Sequence, residues 1–150
     1  MTALKETLRT DLTAAIKGRD ELVTATLRMA LTAVGNEEVA GKAARQLSDA
    51  EVVQVLTREA KKRREAAEAF EKGDRPEQAA REKAEGEVLA RYLPAQLSDD
   101  ELAALVAEAI AETGAEGPKG MGLVMKALNP KVAGRAEGGR VAAAVKSALA

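Results

Sequence analysis

Six basic side chains, Lys119, Lys126, Lys131, Arg135, Arg140 and Lys146, fall in the last 37 residues of the chain, against two acidic ones, Glu116 and Glu137. The stretch Gly117-Pro118-Lys119-Gly120-Met121-Gly122 sits among them, just ahead of a helical pattern. Free backbone amides at a helix start, such as those of Gly120 to Gly122, attract anions, and Lys119 beside them adds a charge. The order GxxxxGK[ST] of a nucleotide-hydrolysing loop is absent and no strand precedes the glycines, so the chemistry implied is contact with a phosphate of a larger nucleic acid. A plain connection between packed helices explains the same glycines. A second basic run, Arg58 to Arg64, is the rival surface, although Glu59 and Arg63 are spaced to pair on one solvated helix face.

Catalytic machinery is hard to place. Among 150 residues there is no His and no Cys, which removes the commonest general base, thiolate metal sites and the usual activated nucleophiles. Ser48 and Ser98 stand at helix starts, and Ser147 has no nucleophile context. Asp99-Asp100-Glu101 is accounted for by the helix dipole, so no metal and no cofactor is expected. Phe70 and Tyr92 are the only aromatic residues. None lies beyond Tyr92, so stacking on unpaired bases is excluded for the C-terminal part, and RNA would be held weakly, by charge and shape. No apolar run reaches the roughly 20 residues of a membrane span, and a cytoplasmic location is expected.

The elements that must position these residues all read as helices. Leu4, Leu8, Leu12 and Ile16 mark a first apolar stripe that Gly18 ends, and Asp20 caps a second helix running to Gly35-Asn36. A loop is expected over 37–46. Leu47-Ser48-Asp49-Ala50-Glu51-Val52 then combines a capping box with a hydrophobic staple and opens a third helix. After Gly73-Asp74-Arg75, Pro76 suits the first turn of a fourth helix, expected to reach Leu93. Pro94 ends it, and Leu97-Ser98-Asp99-Asp100-Glu101-Leu102 repeats the capping device. Tyr92 is expected where the two parts meet, with its ring buried. Leu93, Leu97, Leu102, Leu105 and Val106 are expected in the core. The next helix should stop at Thr113-Gly114, a short one should run through Leu123, Val124, Met125 and Leu128 to Asn129-Pro130, and a last one should carry Val141, Val145 and Leu149 after a loop over 131–139. The fold class is therefore all-α, with an N-terminal helical lobe, 1–94, joined at a proline hinge to a small three-helix lobe, 95–150.

The residues Met121 to Leu128, Lys131 to Gly138 and Val145-Lys146, together with Tyr92 to Ser98 and Phe70 to Arg75, resemble the YqeY family along nearly the whole chain. The resemblance implies a helical N-terminal part joined to a small domain similar to the tail of GatB, the B subunit of tRNA-dependent amidotransferases. It further implies a non-catalytic module that touches tRNA or another structured RNA, with an amidotransferase or translation-related protein as partner. Glu137 stands where the family often has Asp. A second implication is participation in glutamine-dependent amide transfer, a carbon–nitrogen ligase reaction. The kinase-like cradle of GatB and the ammonia-releasing subunit have no counterpart here. A protein adaptor that docks by an apolar helix face is the third reading.

Overall fold

In the computed structural model residues 3–150 are described, and among them every regular element is helical. The order is α1 (Ala3–Lys17), α2 (Glu21–Glu38), α3 (Asp49–Lys72), α4 (Pro76–Ala90), α5 (Asp99–Thr113), a 3-10 turn (Pro118–Gly120), α6 (Met121–Val132) and α7 (Gly138–Leu149). The chain divides into two compact units, the first ending at Leu93 and the second beginning at Pro94.

In the first unit, Leu8, Leu27, Ala30, Val34, Leu47, Val52, Val55, Leu56, Val88 and Leu89 form one buried cluster drawn from all four helices and the segment before α3. Leu8 is fully buried, but Ile16 is 46% exposed and Ala15 takes its inward place. A strict four-residue spacing overshoots a 3.6-residue turn at each step, so the stripe from Leu4 rotates out of the core by its fourth member. Asp20 caps α2 as its residue type requires, accepting from the Val23 amide at 3.2 Å. The stop expected at Gly35-Asn36 does not occur, and the helix continues to Glu38. A helical glycine costs about 1 kcal/mol. That cost is offset by buried Val34 and by Glu38, whose carboxylate takes Lys5 Nζ at 2.5 Å and the Leu47 amide at 3.3 Å.

Both sharp turns of this unit share one device. Asp20 N reaches Ala15 O at 2.9 Å around Arg19, and Arg75 N reaches Phe70 O at 2.8 Å around Asp74. Arg19 (φ 55°) and Asp74 (φ 56°) hold the left-handed position, each one residue after the glycine that sequence suggests for it.

Ser48 closes a reciprocal capping box with Glu51, and α3 then packs along α4 and α2. Glu59 is buried between these helices and accepts from Lys62 (3.1 Å) and Arg63 (3.0 Å). Arg63 also touches Met29 on α2 and lies 3.4 Å from Glu85 on α4, while Arg81 joins Glu85 (3.1 Å) to Glu21 (2.7 Å). A chain of alternating charge thus crosses three helices. At the end of α4, Arg91, Tyr92 and Leu93 tighten into bonds three residues back, to Val88, Leu89 and Ala90, so the helix proper stops at Ala90, short of the expected Leu93. Tyr92 belongs to this unit's own packing: its ring lies against the cluster and its hydroxyl donates to Asp11 Oδ2 on α1 at 2.6 Å. Desolvation, then the Asp11 carboxylate, pushes that phenol well above the ordinary tyrosine range.

The second unit has a core of Leu97, Leu102, Val106, Ala109, Val124, Leu128, Val132, Val141, Val145 and Leu149. Leu93 and Leu105, expected in the core, are half-buried. The Ser98 capping box with Glu101 opens α5, and left-handed Gly114 (φ 65°) closes it. Helix α6 starts two residues before Leu123 and passes through Pro130 to Val132. A proline should end a helix, but in the last turn it forfeits one amide only, and Val132 beyond it is anchored by burial in the core. Gly138 and Gly139, expected in a loop, form the first turn of α7.

Arg63→Ala leaves Glu59 buried without its guanidinium and is expected to lower stability by about 3 kcal/mol, whereas Glu59→Leu with Arg63→Leu recovers much of it. Urea unfolding monitored by far-UV circular dichroism reads the difference. A second expectation concerns acid. Glu38 is held below the ordinary carboxylate range by Lys5 first, Glu51 by Arg45 and then the Ser48 amide, and Glu101 by the Ser98 amide. A depressed folded pKa adds stability above the unfolded value of about 4.3, and that stability is lost as pH falls through the lower folded value. Stability should therefore be flat from neutrality to about pH 5 and decline below about pH 4, less steeply in a Glu38→Gln, Glu51→Gln, Glu101→Gln variant.

Candidate functional site

The basic residues of the second unit sort into two groups once their contacts are known. Lys131, in the last turn of α6, sits 3.2 Å from Glu112 and 3.3 Å from Glu108, and these carboxylates, Glu112 first, hold its ammonium above the ordinary lysine range. Arg135 Nε donates to Ala95 O at 3.3 Å, and its carbonyl accepts from the Leu97 amide at 2.8 Å. Arg140, at the start of α7, donates to Leu97 O and to Asp99 Oδ1, both at 2.7 Å. Gln96 completes the strap by donating to Gly134 O at 3.0 Å. These three cations therefore fasten α6, α7 and the 94–99 segment to one another and to α5. Lys119, Lys126 and Lys146 are exposed and make no ion pair or hydrogen bond with the described residues.

This division reflects a segregation of charge visible in the residues. Helix α5 carries Asp99, Asp100, Glu101, Glu108 and Glu112 and no basic residue, whereas the 3-10 turn, α6 and α7 carry Lys119, Lys126, Lys131, Arg140 and Lys146 and no acid. Where the acidic helix and the basic elements meet, Lys131 and Arg140 neutralise it. Where they do not, positive charge remains at the surface.

The glycine loop is less open than its composition implies. Gly120 N donates to Gly117 O at 3.0 Å and the Met121 amide donates to Pro118 O, so the 3-10 turn runs into α6 and engages two of the three amides that an anion would need. Its glycines serve shape. Gly117 has φ 66° and ψ −178°, a conformation open to glycine alone. At Gly120 a Cβ would come within 2.6 Å of Ala115 Cβ and 3.3 Å of Ala115 Cα, so backbone closes on backbone there. Gly122 differs: nothing lies within 4 Å of where its Cβ would be.

Leu123, beside Gly122, is 54% exposed, a feature that apolar composition alone conceals. The signal was present in the spacing, since Val124, Leu128 and Val132 occupy the inward row and an adjacent leucine cannot share it. A shallow groove between α5 and α7 is lined mainly by Ala103, Ala107, Ala144 and Ala148, with Asp99 and Ser147 as its polar members. It contains no nucleophile paired with a base. In the first unit, the rival basic run is largely matched by acid: Arg58 lies 3.5 Å from Glu37, Lys61 3.9 Å from Glu65, and Lys62 and Arg63 bind Glu59.

Gly120→Ala is expected to destabilise by about 1–3 kcal/mol through overpacking against Ala115. Ala115→Gly in the same chain should restore most of the loss, whereas Gly122→Ala should be neutral or slightly stabilising. Thermal unfolding of the four proteins checks the series.

No helix among the described residues is long and apolar enough to cross a membrane. No curated relative matches the chain. A family model described as Yqey-like protein matches residues 5–149. That span takes in both units, the two capping boxes, the glycine turn and every basic residue discussed above, and the chain belongs to the YqeY family.

Proposed function

We propose that this protein is a non-catalytic RNA-binding module whose second unit holds phosphates of a structured RNA, such as a tRNA, through Lys119, Lys126 and Lys146. The observation that supports this reading most is the unequal use of its cations. Lys131, Arg135 and Arg140 are engaged within the unit, and the other three stand exposed and unpaired on elements that bear no acid. Solvent-facing ammonium groups on a rigid helical frame suit phosphate contact, which positions a protein on RNA without reading sequence. The similarity to the GatB tail that the YqeY resemblance implies would point the same way. With no His and no Cys in the sequence, and no nucleophile seen beside a base among the described residues, carboxylate activation and ammonia handling would fall to a partner.

Three simultaneous phosphate contacts predict that the logarithm of affinity for tRNA falls with the logarithm of salt at a slope of about −2 to −3. A Lys119→Glu, Lys126→Glu, Lys146→Glu variant should abolish binding, while Arg58→Glu, Lys62→Glu should leave it nearly unchanged. Filter binding across a salt series measures both. Absence of binding by the wild type at low salt, or full binding by the triple variant, would overturn the proposal in favour of a protein adaptor.

A further inference from the structure

The outward side of α6 and of the turn that leads into it has one feature that phosphate contact alone leaves unused. Lys119, Leu123 and Lys126 are all exposed; Leu123 and Lys126, three residues apart, are neighbours on the surface of α6, and Lys119 stands in the 3-10 turn that runs into it. Leu123 is 54% exposed, and Gly122 beside it leaves open space where a side chain would stand. The result is an apolar tooth between two unpaired ammonium groups, with a flat place at its foot.

Resting on the RNA-binding reading above, we infer that this face seats in the minor groove of double-helical RNA, Leu123 against the ribose edges and Lys119 and Lys126 toward the phosphates on either side. Three considerations select that occupant. A convex helix face with one projecting leucine offers no trough for an amphipathic peptide helix, which needs a groove to receive its apolar side. The unit has no aromatic ring to stack on unpaired bases, so single strands gain only charge contacts. The A-form minor groove is wide and shallow and presents sugars to a blunt apolar group, whereas the minor groove of B-DNA, about 6 Å across, is too narrow for a helix face. Lys119 in the turn precedes Leu123 and Lys126 on α6 follows it, which places a cation before and after the leucine along the chain.

The test compares a short blunt-ended RNA duplex, a DNA duplex of the same sequence and a single RNA strand, each titrated with the full-length protein by fluorescence anisotropy. The RNA duplex should bind about tenfold more tightly than either of the others. Leu123→Ala should weaken the RNA duplex roughly five- to tenfold with the salt slope unchanged, because the residue carries no charge. Lys119→Gln or Lys126→Gln should each reduce that slope by about one. Equal affinity for the three nucleic acids, or an unaltered affinity in Leu123→Ala, overturns the groove inference while RNA binding itself stands. If the wild type binds none of them, both readings fall. A dimer that forms without RNA and is lost in Leu123→Ala, seen by analytical ultracentrifugation, would assign the tooth to self-association and overturn the inference as well.

Discussion

Aliphatic packing without direction is the constraint that this protein has to solve. Its two cores are built almost wholly from leucine, valine and alanine, side chains that fill space and exclude water but attract one another equally in any orientation. Such contacts bring helices close together without deciding how far one slides or turns against the next. Hydrogen-bonded charges supply that decision. In the first unit, Lys5 with Glu38, Tyr92 with Asp11, Arg63 with Glu85, and Arg81 with Glu21 each join residues whose distance depends on helix register. Lys131 and Arg140 do the same in the second. A shift of one helical turn, about 5.4 Å, would break the contacts between helices while leaving the apolar burial little changed.

The same logic explains why basic composition is a poor guide to a binding surface. Lys119 and Lys131 look alike in sequence, both near glycines and both flanking the same short helical pattern. What separates them is α5, whose carboxylates at 108 and 112 lie within reach of Lys131. Charge that a fold consumes internally is unavailable to a partner unless the fold gives way.

Local devices were legible in the residues, since they depend on neighbours in the chain. Both capping boxes, the Asp20 cap and the left-handed Gly114 stand where the sequence places them. The misjudged points are those at which tertiary packing overrides a local tendency. Gly35-Asn36 and Pro130 read as helix breakers, yet the helices run on because Glu38 and Val132, beyond each breaker, are held in place. Ile16 read as core and is exposed because a four-residue period drifts around the helix. At the candidate site, the lysines and arginines can be read off the sequence, but their division into engaged and unpaired groups needed the positions of acids up to 41 residues away. The closing of backbone on backbone at Gly120 likewise involves Ala115, a residue with no side-chain chemistry to announce it.

The segregation of acid on α5 from base on the 3-10 turn, α6 and α7 makes the second unit an electric dipole of appreciable moment although its formal charges nearly cancel. In the gradient of potential around a polyanion, such a body experiences a torque before it experiences much net attraction. The torque turns the acidic helix outward and the unpaired lysines inward at separations within a Debye length or so, about 8 Å in physiological salt. For the RNA binding proposed above, a nearly neutral unit would thus arrive already facing the right way, and the fraction of productive encounters would depend on ionic strength more steeply than its overall charge suggests.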